Sequence, residues 1–452
     1  MKIIIVGAGI IGWNLADSLS RENHEVYLIE LNPDVAARVD EKIDAKVIVG
    51  RGSDPDVLQQ AGVHDADLVI AVTNADEINL VVCFLSARFG AKRRIARVRS
   101  ESLLQAVKSF RDQQFAIEEF INPEEVAAHD IIRVVKTPGA REVADFAEGR
   151  ILLRSFNLPA SSTFCGHRMD DLRTEDFPWP FLIVAIIRDG EVIIPTGATV
   201  LEASDRIYAL LPKDSLGEFL TFIDPDTRQM RKVIICGATH IGEIVARELS
   251  ETINDIVLIE EDGDLAEQFA GRLNSVRVIK GSAAESAILK EAGIEAADAF
   301  IASTPNDHSN LVSAVLAKKM GAKTTIITTQ QPDYLSIIDA MDINVVINPR
   351  LRAVDQILRL VRGKGIRSVI NLLDCDCEAL EFVPEENSAV TRAPLKELSF
   401  PKNSIVGAIL RDKDVFLANG NTQIRSGERV VVFCQDKSVK KMQDLFTRKK
   451  IF

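Results

Sequence analysis

Six short apolar, β-branched runs mark the chain up to Ile121: Lys2–Val6, Val26–Ile29, Lys46–Val49, Leu68–Val72, Arg94–Val98 and Ala116–Ile121. Between them, apolar positions recur at helical spacing, as in Leu15–Leu19, Val57–Ala61 and Asn79–Phe89. Strands alternating with helices predict a doubly wound parallel sheet of the Rossmann type. Asn122-Pro123-Glu124-Glu125 predicts a helix start, with Asn122 as the cap. Pro123, which lacks an N–H to leave unsatisfied, takes the first position. From about Ile151 the texture changes to short strands: Ile151–Phe156, Phe181–Ile187, Glu191–Ile194 and Arg206–Leu210. Arg188-Asp189-Gly190-Glu191 reads as a hairpin turn between two of them, so a small α+β domain is expected.

The whole pattern then repeats. Val6-Gly7-Ala8-Gly9-Ile10-Ile11-Gly12 returns as Cys236-Gly237-Ala238-Thr239-His240-Ile241-Gly242, an offset of 230 residues from Gly7 to Gly237. Tyr27-Leu28-Ile29-Glu30 returns as Val257-Leu258-Ile259-Glu260. Gly52-Ser53 reads as the match of Gly281-Ser282, Ala61-Gly62-Val63 of Ala292-Gly293-Ile294, and Ile121-Asn122-Pro123 of Ile347-Asn348-Pro349. The small domain is duplicated too: Ile183–Asp189 finds its counterpart at Ile405–Asp412, Gly197 at Gly420, and Asp205-Arg206 at Glu428-Arg429. A tandem duplication follows, α/β throughout. Its expected parts are a first Rossmann domain at 1–136, a first small α+β domain at 137–223, a second Rossmann domain at 230–362 and a second small α+β domain at 366–452. Asp224-Pro225-Asp226-Thr227-Arg228 is the expected linker between the halves.

Composition narrows the function. At 452 residues the chain exceeds a single core, and 46% apolar with 27% charged residues is ordinary for a globular protein. A net charge of −12 argues against a nucleic-acid partner, and no basic recognition helix is visible. The Arg448-Lys449-Lys450 cluster reads as a solvated tail. No apolar run is long enough to cross a bilayer, and the N-terminus enters a strand at once, without a signal-peptide pattern. The six cysteines are scattered and read as reduced core residues. Cys375 and Cys377 would share a strand face but lack a second ligand pair, so no metal site is expected.

The candidate chemistry is the turn Gly7-Ala8-Gly9-Ile10-Ile11-Gly12, which follows a strand and opens a helix. Gly7 permits the tight turn, Gly9 clears space for a pyrophosphate, and Gly12 lets helix and strand pack closely. The helix N-terminus offers N–H groups and a partial positive charge to the phosphates. Glu30, closing the second strand, can accept both ribose hydroxyls. Leu31 and Asn32 bring no cation for a 2′-phosphate, which favours NAD⁺ or NADH over the phosphorylated forms. Arg97 and Arg99 alternate on the fifth strand and so share one face near its carboxyl end. Two readings stay open for them, a phosphate contact or a surface ion pair. Position also nominates Gly52, Ser53, Asp54, Thr73 and Asn74 around the same crevice. In the second half, Thr239 replaces the middle glycine, and Arg97 and Arg99 map to Thr328 and Gln330. Glu260, Gly281, Ser282 and Thr304 remain as counterparts. A weaker, different or absent nucleotide is expected there, with His240 a turn residue.

With both halves in view, the chain resembles the RCK (regulator of K⁺ conductance) family. The residues that carry the likeness are Met1–Gly9, Ala71-Val72-Thr73-Asn74-Ala75-Asp76-Glu77, its echo Ala302-Ser303-Thr304-Pro305-Asn306-Asp307, and Ile95-Ala96-Arg97-Val98-Arg99-Ser100. The resemblance spans essentially the whole chain. It implies a non-enzymatic regulatory subunit that binds NAD(H), or ATP or ADP, in its Rossmann domains. It further implies a homo-oligomer, dimer or tetramer, forming a cytoplasmic gating ring against the inner face of the cell membrane. The implied partner is a membrane-embedded, Trk-type K⁺-translocating subunit. The rival reading, an NAD-dependent dehydrogenase, lacks a catalytic constellation, for none of the six histidines sits with a plausible acid–base partner.

Overall fold

The computed structural model describes residues 1–109, 117–173, 180–225, 228–331, 334, 341–362, 366–372, 377–435 and 438–447. Its contacts divide the chain into two units, one of Met1–Ala127 with Asn348–Val361, the other of Ala128–Ile347 with Arg362–Phe452.

In the first unit, β1 (Lys2–Val6), β2 (Glu25–Glu30), β3 (Lys46–Val49), β4 (Leu68–Ala71), β5 (Arg93–Arg97) and β6 (Glu119–Ile121) form one sheet in the order β3-β2-β1-β4-β5-β6. Every pairing is parallel. The crossovers are α1 (Ile10–Arg21), α2 (Pro33–Lys42), α3 (Pro55–Gln60), α4 (Asp76–Phe89) and α5 (Glu101–Ser109). Successive strand residues point to opposite faces. Ile3, Ile5, Leu28, Ile70 and Ile95 pack with Leu15 and Leu19 of α1 on one side. Ile4, Val6, Ile29 and Val69 pack with Leu58, Val82 and Cys83 on the other. Both faces are covered, so the strands read as continuous apolar runs.

One helix of the first layer comes from far along the chain. Ala353, Val354, Ile357, Leu358 and Val361 of α12 (Pro349–Arg362) share the core of Ile3, Leu15 and Ile95, and Arg93 Nη2 donates to the Leu360 carbonyl at 3.1 Å. The sequence groups 349–361 with the second Rossmann domain; the contacts group it with the first. Amphipathic periodicity shows that a helix buries one face and is silent on which sheet receives it. The matching helix of the first repeat, α6 (Pro123–Val135), starts on Asn122, whose Oδ1 accepts the Glu124 N–H at 3.1 Å. From Ala128 onward α6 belongs to the second unit.

The second unit repeats the Rossmann sheet with β12 (Lys232–Cys236), β13 (Asp255–Glu260), β14 (Arg277–Lys280), β15 (Ala299–Ala302), β16 (Thr324–Thr328) and β17 (Val345–Ile347), in the same strand order. The helices α8 (His240–Leu249), α9 (Gly263–Arg272), α10 (Ser286–Ala292) and α11 (Asp307–Lys319) connect them. His129 of α6 lies 3.4 Å from Glu248 of α8.

Two five-stranded antiparallel sheets complete this unit. The first holds β7 (Ala140–Phe146), β8 (Ile151–Asn157), β9 (Leu182–Arg188), β10 (Glu191–Ile193) and β11 (Arg206–Pro212), followed by α7 (Leu216–Ile223). The second holds β18 (Ile366–Asn371), β19 (Cys377–Phe382), β20 (Ser404–Arg411), β21 (Asp414–Leu417) and β22 (Arg429–Gln435), followed by α13 (Val439–Phe446). They pack face to face: Val184, Tyr208 and Leu210 share one core with Ala408, Val431 and Phe433. A Cβ on Gly407 would sit 2.2 Å from Leu210 Cδ1, so the buried Leu210 side chain would have to shift to admit one. The duplication is visible in detail, since Arg188 pairs with Asp205 at 2.7 Å and Arg411 pairs with Glu428 at the equivalent place. The predicted hairpin turn is present, with Asp189 and Gly190 both at positive φ between β9 and β10. Strand β7 escapes the sequence reading.

Ala116, Asp226 and Thr227 of the predicted linker, Cys375 and Asp376, and Arg448-Lys449-Lys450 lie outside the described residues. Among the described residues, Cys83, Cys165, Cys236, Cys377 and Cys434 are unbridged and no cluster of metal-ligating side chains occurs. No described helix is long and apolar enough to cross a membrane.

Candidate functional site: a crevice at the carboxyl end of the first sheet

Strand order reverses at β1 and β4, and helices there leave on opposite faces, so the loops part over the carboxyl edge. A cavity of about 410 Å³ opens at that edge. Of the residues nominated from sequence, Gly7, Gly9, Glu30, Gly52, Thr73 and Asn74 line it. Leu31, Gly50, Arg51 and Ile78 line it as well and were not nominated. Ala8, Ile10, Ile11 and Gly12 belong to the turn and first helical residues behind the wall. Ser53 and Asp54 are not in the lining; the Asp54 carboxylate caps α3 by accepting the Asp56 N–H at 2.9 Å.

The three glycines differ in what the chain itself demands of them. Gly7 has φ +101°, and a Cβ there would stand 3.1 Å from the Thr73 backbone. A Cβ on Gly12 would meet the Gly7 carbonyl oxygen at 1.8 Å. Both glycines are therefore required for the turn to close. Gly9 has an ordinary φ of −65°, and a Cβ on it would meet nothing within 4 Å. It also caps α1 without any side-chain hydrogen bond. The chain thus leaves the first N–H groups of α1 uncapped beside open space, the arrangement that receives a phosphate.

Glu30 is fixed by backbone donors: Oε2 accepts the Ala8 N–H at 2.7 Å and Oε1 accepts the Asn32 N–H at 2.8 Å. Each carboxylate oxygen keeps a second lone pair for a ribose hydroxyl. Leu31 remains 59% exposed at the mouth, an apolar surface that an adenine ring would cover. Arg51 adds a cation from the loop after β3, next to Glu30, whose carbonyl accepts the Gly50 N–H at 2.8 Å. The absence of a cation inferred from Leu31 and Asn32 is thereby corrected. The relevant neighbour lies across the sheet rather than along the chain.

Arg97 and Arg99 are not partners on one strand face. β5 ends at Arg97, and Arg99 lies in the following loop. Arg97 Nη1 donates to the Thr73 carbonyl at 3.1 Å and to Asn74 Oδ1 at 3.2 Å, while Arg99 Nη2 donates to the Asn74 carbonyl at 3.0 Å. Both clamp the loop that forms the cavity wall. Arg99 also approaches Asp76 at 3.7 Å. Arg97 is 7% exposed and pairs with no carboxylate among the described residues. Burial, then the like charges of Arg99 and Arg350, push it down to about 10.

The second crevice retains only part of this. Gly237 and Gly242 keep the fold-required features, with φ +107° at Gly237 and a Cβ on Gly242 only 2.2 Å from the Gly237 oxygen. Glu260 accepts the Ala238 and Asp262 N–H groups as Glu30 does. Thr304 is anchored to Asn310 as Thr73 is to Asn79. Thr239, however, turns Oγ1 onto the Gly242 N–H at 3.1 Å and donates to the Ser303 carbonyl. It supplies the cap that a phosphate would supply in the first turn. His240 opens α8 and its buried Nε2 has no hydrogen-bond partner, and Ile241 is buried.

Register corrects one repeat match here. The Glu260 carbonyl accepts the Gly281 N–H, as the Glu30 carbonyl accepts that of Gly50. Gly281 is therefore the counterpart of Gly50, not of Gly52. On the register that follows, Leu31, Val49 and Arg51 correspond to Glu261, Lys280 and Ser282. Ser282 Oγ is bound to the Glu261 carboxylate. The apolar Leu31 of the lining is replaced by a carboxylate, and the Arg51 guanidinium by a hydroxyl.

The chain is thus a tandem pair of Rossmann sheets, each followed by an antiparallel domain, with one open and one capped glycine turn. The TrkA-N domain matches residues 3–122 and 233–349, and the TrkA-C domain matches 153–224 and 379–447. The Trk system potassium uptake protein TrkA of Vibrio alginolyticus is 32% identical over 442 residues, 97% of this chain and 96% of that protein. That of Haemophilus influenzae is 32% identical over 452 residues, covering 99% and 98%. The chain belongs to the TrkA family of potassium uptake proteins. In fold it is similar to the GsuK RCK domain, with TM-score 0.59 at 17% identity over 99% of this chain and 95% of that one. The GsuK channel bound to NAD gives 0.60 at 17% identity over 98% and 78%. The relatives are transport proteins and the chain is not an enzyme, which removes the dehydrogenase reading.

Proposed function

We propose that the chain is the nucleotide-sensing regulatory subunit of a Trk-type potassium uptake system. It controls a membrane-embedded K⁺-translocating subunit according to what occupies the first crevice. The observation that carries this reading is Gly9, a glycine that neither backbone angle nor packing requires, beside an uncapped helix N-terminus. In this account the pyrophosphate of NAD⁺ or NADH lies on the α1 N–H groups. Glu30 accepts the adenosine ribose hydroxyls, and Leu31 and Ile78 cover the base. The Glu30 carboxylate repels a 2′-phosphate, which favours NAD(H), while ADP and ATP share the adenosine half and are the alternative occupants. The GsuK channel bound to NAD, of the same fold, supports a dinucleotide.

Signalling needs only a ligand that binds two conformations of the assembly unequally. Couplings of about 1–3 kcal/mol per site add across identical subunits. Assembly as a homo-oligomer, dimer or tetramer, is supported by the outer faces of α4 and α11. Val81 is 42% exposed on α4, and Val312 and Val315 are 56% and 38% exposed on α11. Exposed valines at equivalent places on both repeats, Val81 and Val312, suit burial in a ring at the cytoplasmic face of the membrane. The test is K⁺ flux into proteoliposomes carrying a Trk-type translocating subunit. Flux should respond to NADH or an adenine nucleotide only when this chain is added, and the response should vanish with Gly9→Val. A flux indifferent to nucleotide would refute the proposal.

A further inference from the structure

One turn in the first small domain is held in a backbone conformation that its residues disfavour. Ala147, Glu148 and Gly149, between β7 and β8, have φ of +52°, +57° and +80°. Only the glycine adopts that left-handed region freely, because a Cβ there crowds the following carbonyl oxygen. Two such residues in succession persist only where their surroundings fix them. The fixing contact comes from the second small domain. Glu381 Oε2 accepts the Ala147 N–H at 3.0 Å, and Oε1 accepts from Arg429 Nε. Arg429 Nη1 in turn donates to Glu148 Oε1 at 2.8 Å.

Glu381 stands where the strand pattern calls for an apolar side chain. Cys377 and Ala379 of β19 belong to the core between the two small sheets, while Leu380 and Phe382 belong to the core beneath α13. Glu381 continues the first of these faces, toward the first small domain, and is 1% exposed. A carboxylate buried that deeply is costly unless it is paired and hydrogen-bonded. The duplication shows that the sheet itself does not need it. Glu381 pairs across its ladder with Val431, and Ser155 pairs with Tyr208. Since Arg206 and Arg429 are counterparts, Ser155 is the counterpart of Glu381. Ser155 is buried too, and its Oγ has no hydrogen-bond partner among the described residues.

The turn is also tied to α6. Asp145, two residues before Ala147, accepts from Arg154 Nη2 at 2.8 Å and lies 3.6 Å from Arg133 of α6. Arg133 pairs with Asp130 on the same helix at 2.8 Å. We propose that Glu381 and Arg429 form a latch on the Ala147–Gly149 turn, which makes the two small domains and the end of α6 move as one body. With the latch closed, the turn is left-handed and the small domains are locked together. With it open, Ala147 and Glu148 relax and the first small domain is free to shift. Two discrete arrangements of this kind are what a regulatory signal can bias. Glu381 and Arg429 are positioning residues, and neither lines the first crevice. The latch stands on these contacts alone, and its part in signalling rests on the proposed function.

Amide hydrogen exchange of the full chain, followed by mass spectrometry, tests the latch. Glu381→Ser, which copies the first repeat, should speed exchange at Ala147 and Glu148 by roughly tenfold or more, the scale of one hydrogen bond to a charged group. Exchange in β12 and β13 and the affinity for NADH should stay as in wild type. Glu148→Gln alters an 83% exposed side chain and leaves the core untouched. It should speed exchange in the same turn by roughly twofold to threefold, the scale of an exposed ion pair. Exchange at the turn unchanged in both variants, or raised equally throughout both small sheets by Glu381→Ser, would overturn the latch. In the proteoliposome assay, Glu381→Ser should bind NADH normally yet lose most of the nucleotide-dependent change in K⁺ flux. A full response from a chain whose turn is released would overturn the part given to the latch in signalling. Wild-type flux indifferent to nucleotide would refute the proposed function instead, and the exchange rates would still decide the latch.

Discussion

Replacing Gly9 and Gly12 separately by valine divides what the glycine turn does for the fold from what it does for a ligand. Gly9 has φ −65° and ψ −175°, which valine adopts readily, and its Cβ would point into open space. A poorer helix cap costs roughly 0.5–1 kcal/mol, and the stiffer unfolded chain returns roughly 0.4–1 kcal/mol. The net change is about zero, at most 1 kcal/mol, or about 2–4 °C in melting temperature. Gly12→Val instead forces a Cβ to 1.8 Å from a backbone oxygen that cannot rotate away. Overpacking of that kind costs roughly 1–3 kcal/mol or more. Binding reverses the order of interest. A valine at position 9 occupies the space beside the α1 N–H groups and removes at least one charge-assisted hydrogen bond, worth about 1.5–3 kcal/mol. NADH affinity should then fall by roughly tenfold to a hundredfold. Urea unfolding followed by circular dichroism, with NADH titration on the same samples, measures both. A Gly9→Val protein as unstable as Gly12→Val, or one binding NADH like wild type, would refute the reasoning.

Three further outcomes are expected. Thr239→Gly removes the side-chain cap on α8 and should cost only about 0.2–0.5 kcal/mol, because glycine is itself a tolerated cap. It should create no second nucleotide site, because Glu261, Ser282 and Thr328 stand where Leu31, Arg51 and Arg97 do; a second equivalent of NADH bound with the first site's affinity would sink that explanation. Gly407→Ala places a Cβ against Leu210 between the two small sheets and should destabilise the protein by roughly 1–3 kcal/mol, read by thermal unfolding. Burial pushes the Cys83 and Cys236 thiols up to about 12 from 9.0. The folded state therefore keeps these protons while the unfolded state loses them, so their contribution to stability is intact below pH 9 and declines as pH rises toward 12. Cys83→Ser and Cys236→Ser should leave the number of rapidly reacting thiols at pH 8 unchanged; a drop in the fast phase with either variant would show that the thiol is accessible.

Much of the fold is legible in the chain because both faces of each parallel sheet are buried, which leaves uninterrupted runs such as Lys2–Val6 and Lys232–Cys236. β7 is not legible for a physical reason. Its Glu142 and Asp145 break the apolar pattern, and only the folded chain shows Tyr208 Oη donating to Glu142 and Arg154 donating to Asp145 across the sheet. The host of α12 is hidden because a helix advertises an apolar face and not its destination. At the site, Gly7, Gly9 and Glu30 follow from spacing within one strand–turn–helix unit. Arg51 does not, since it reaches the crevice from a neighbouring strand. The mismatch of Gly52 with Gly281 has a similar origin: the two loops after β3 and β14 share one glycine position, and only the hydrogen bond to the Glu30 or Glu260 carbonyl shows which.

The central claim is that one repeat binds nucleotide and the other has given up the means to do so. Equilibrium titration of the purified full chain with NADH tests it most directly, through stoichiometry. One NADH per chain is expected, bound roughly tenfold to a hundredfold more weakly by Gly9→Val and with unchanged affinity by Thr239→Val. Two equivalent sites per chain, or a single site that survives Gly9→Val and disappears with Thr239→Val, would contradict it.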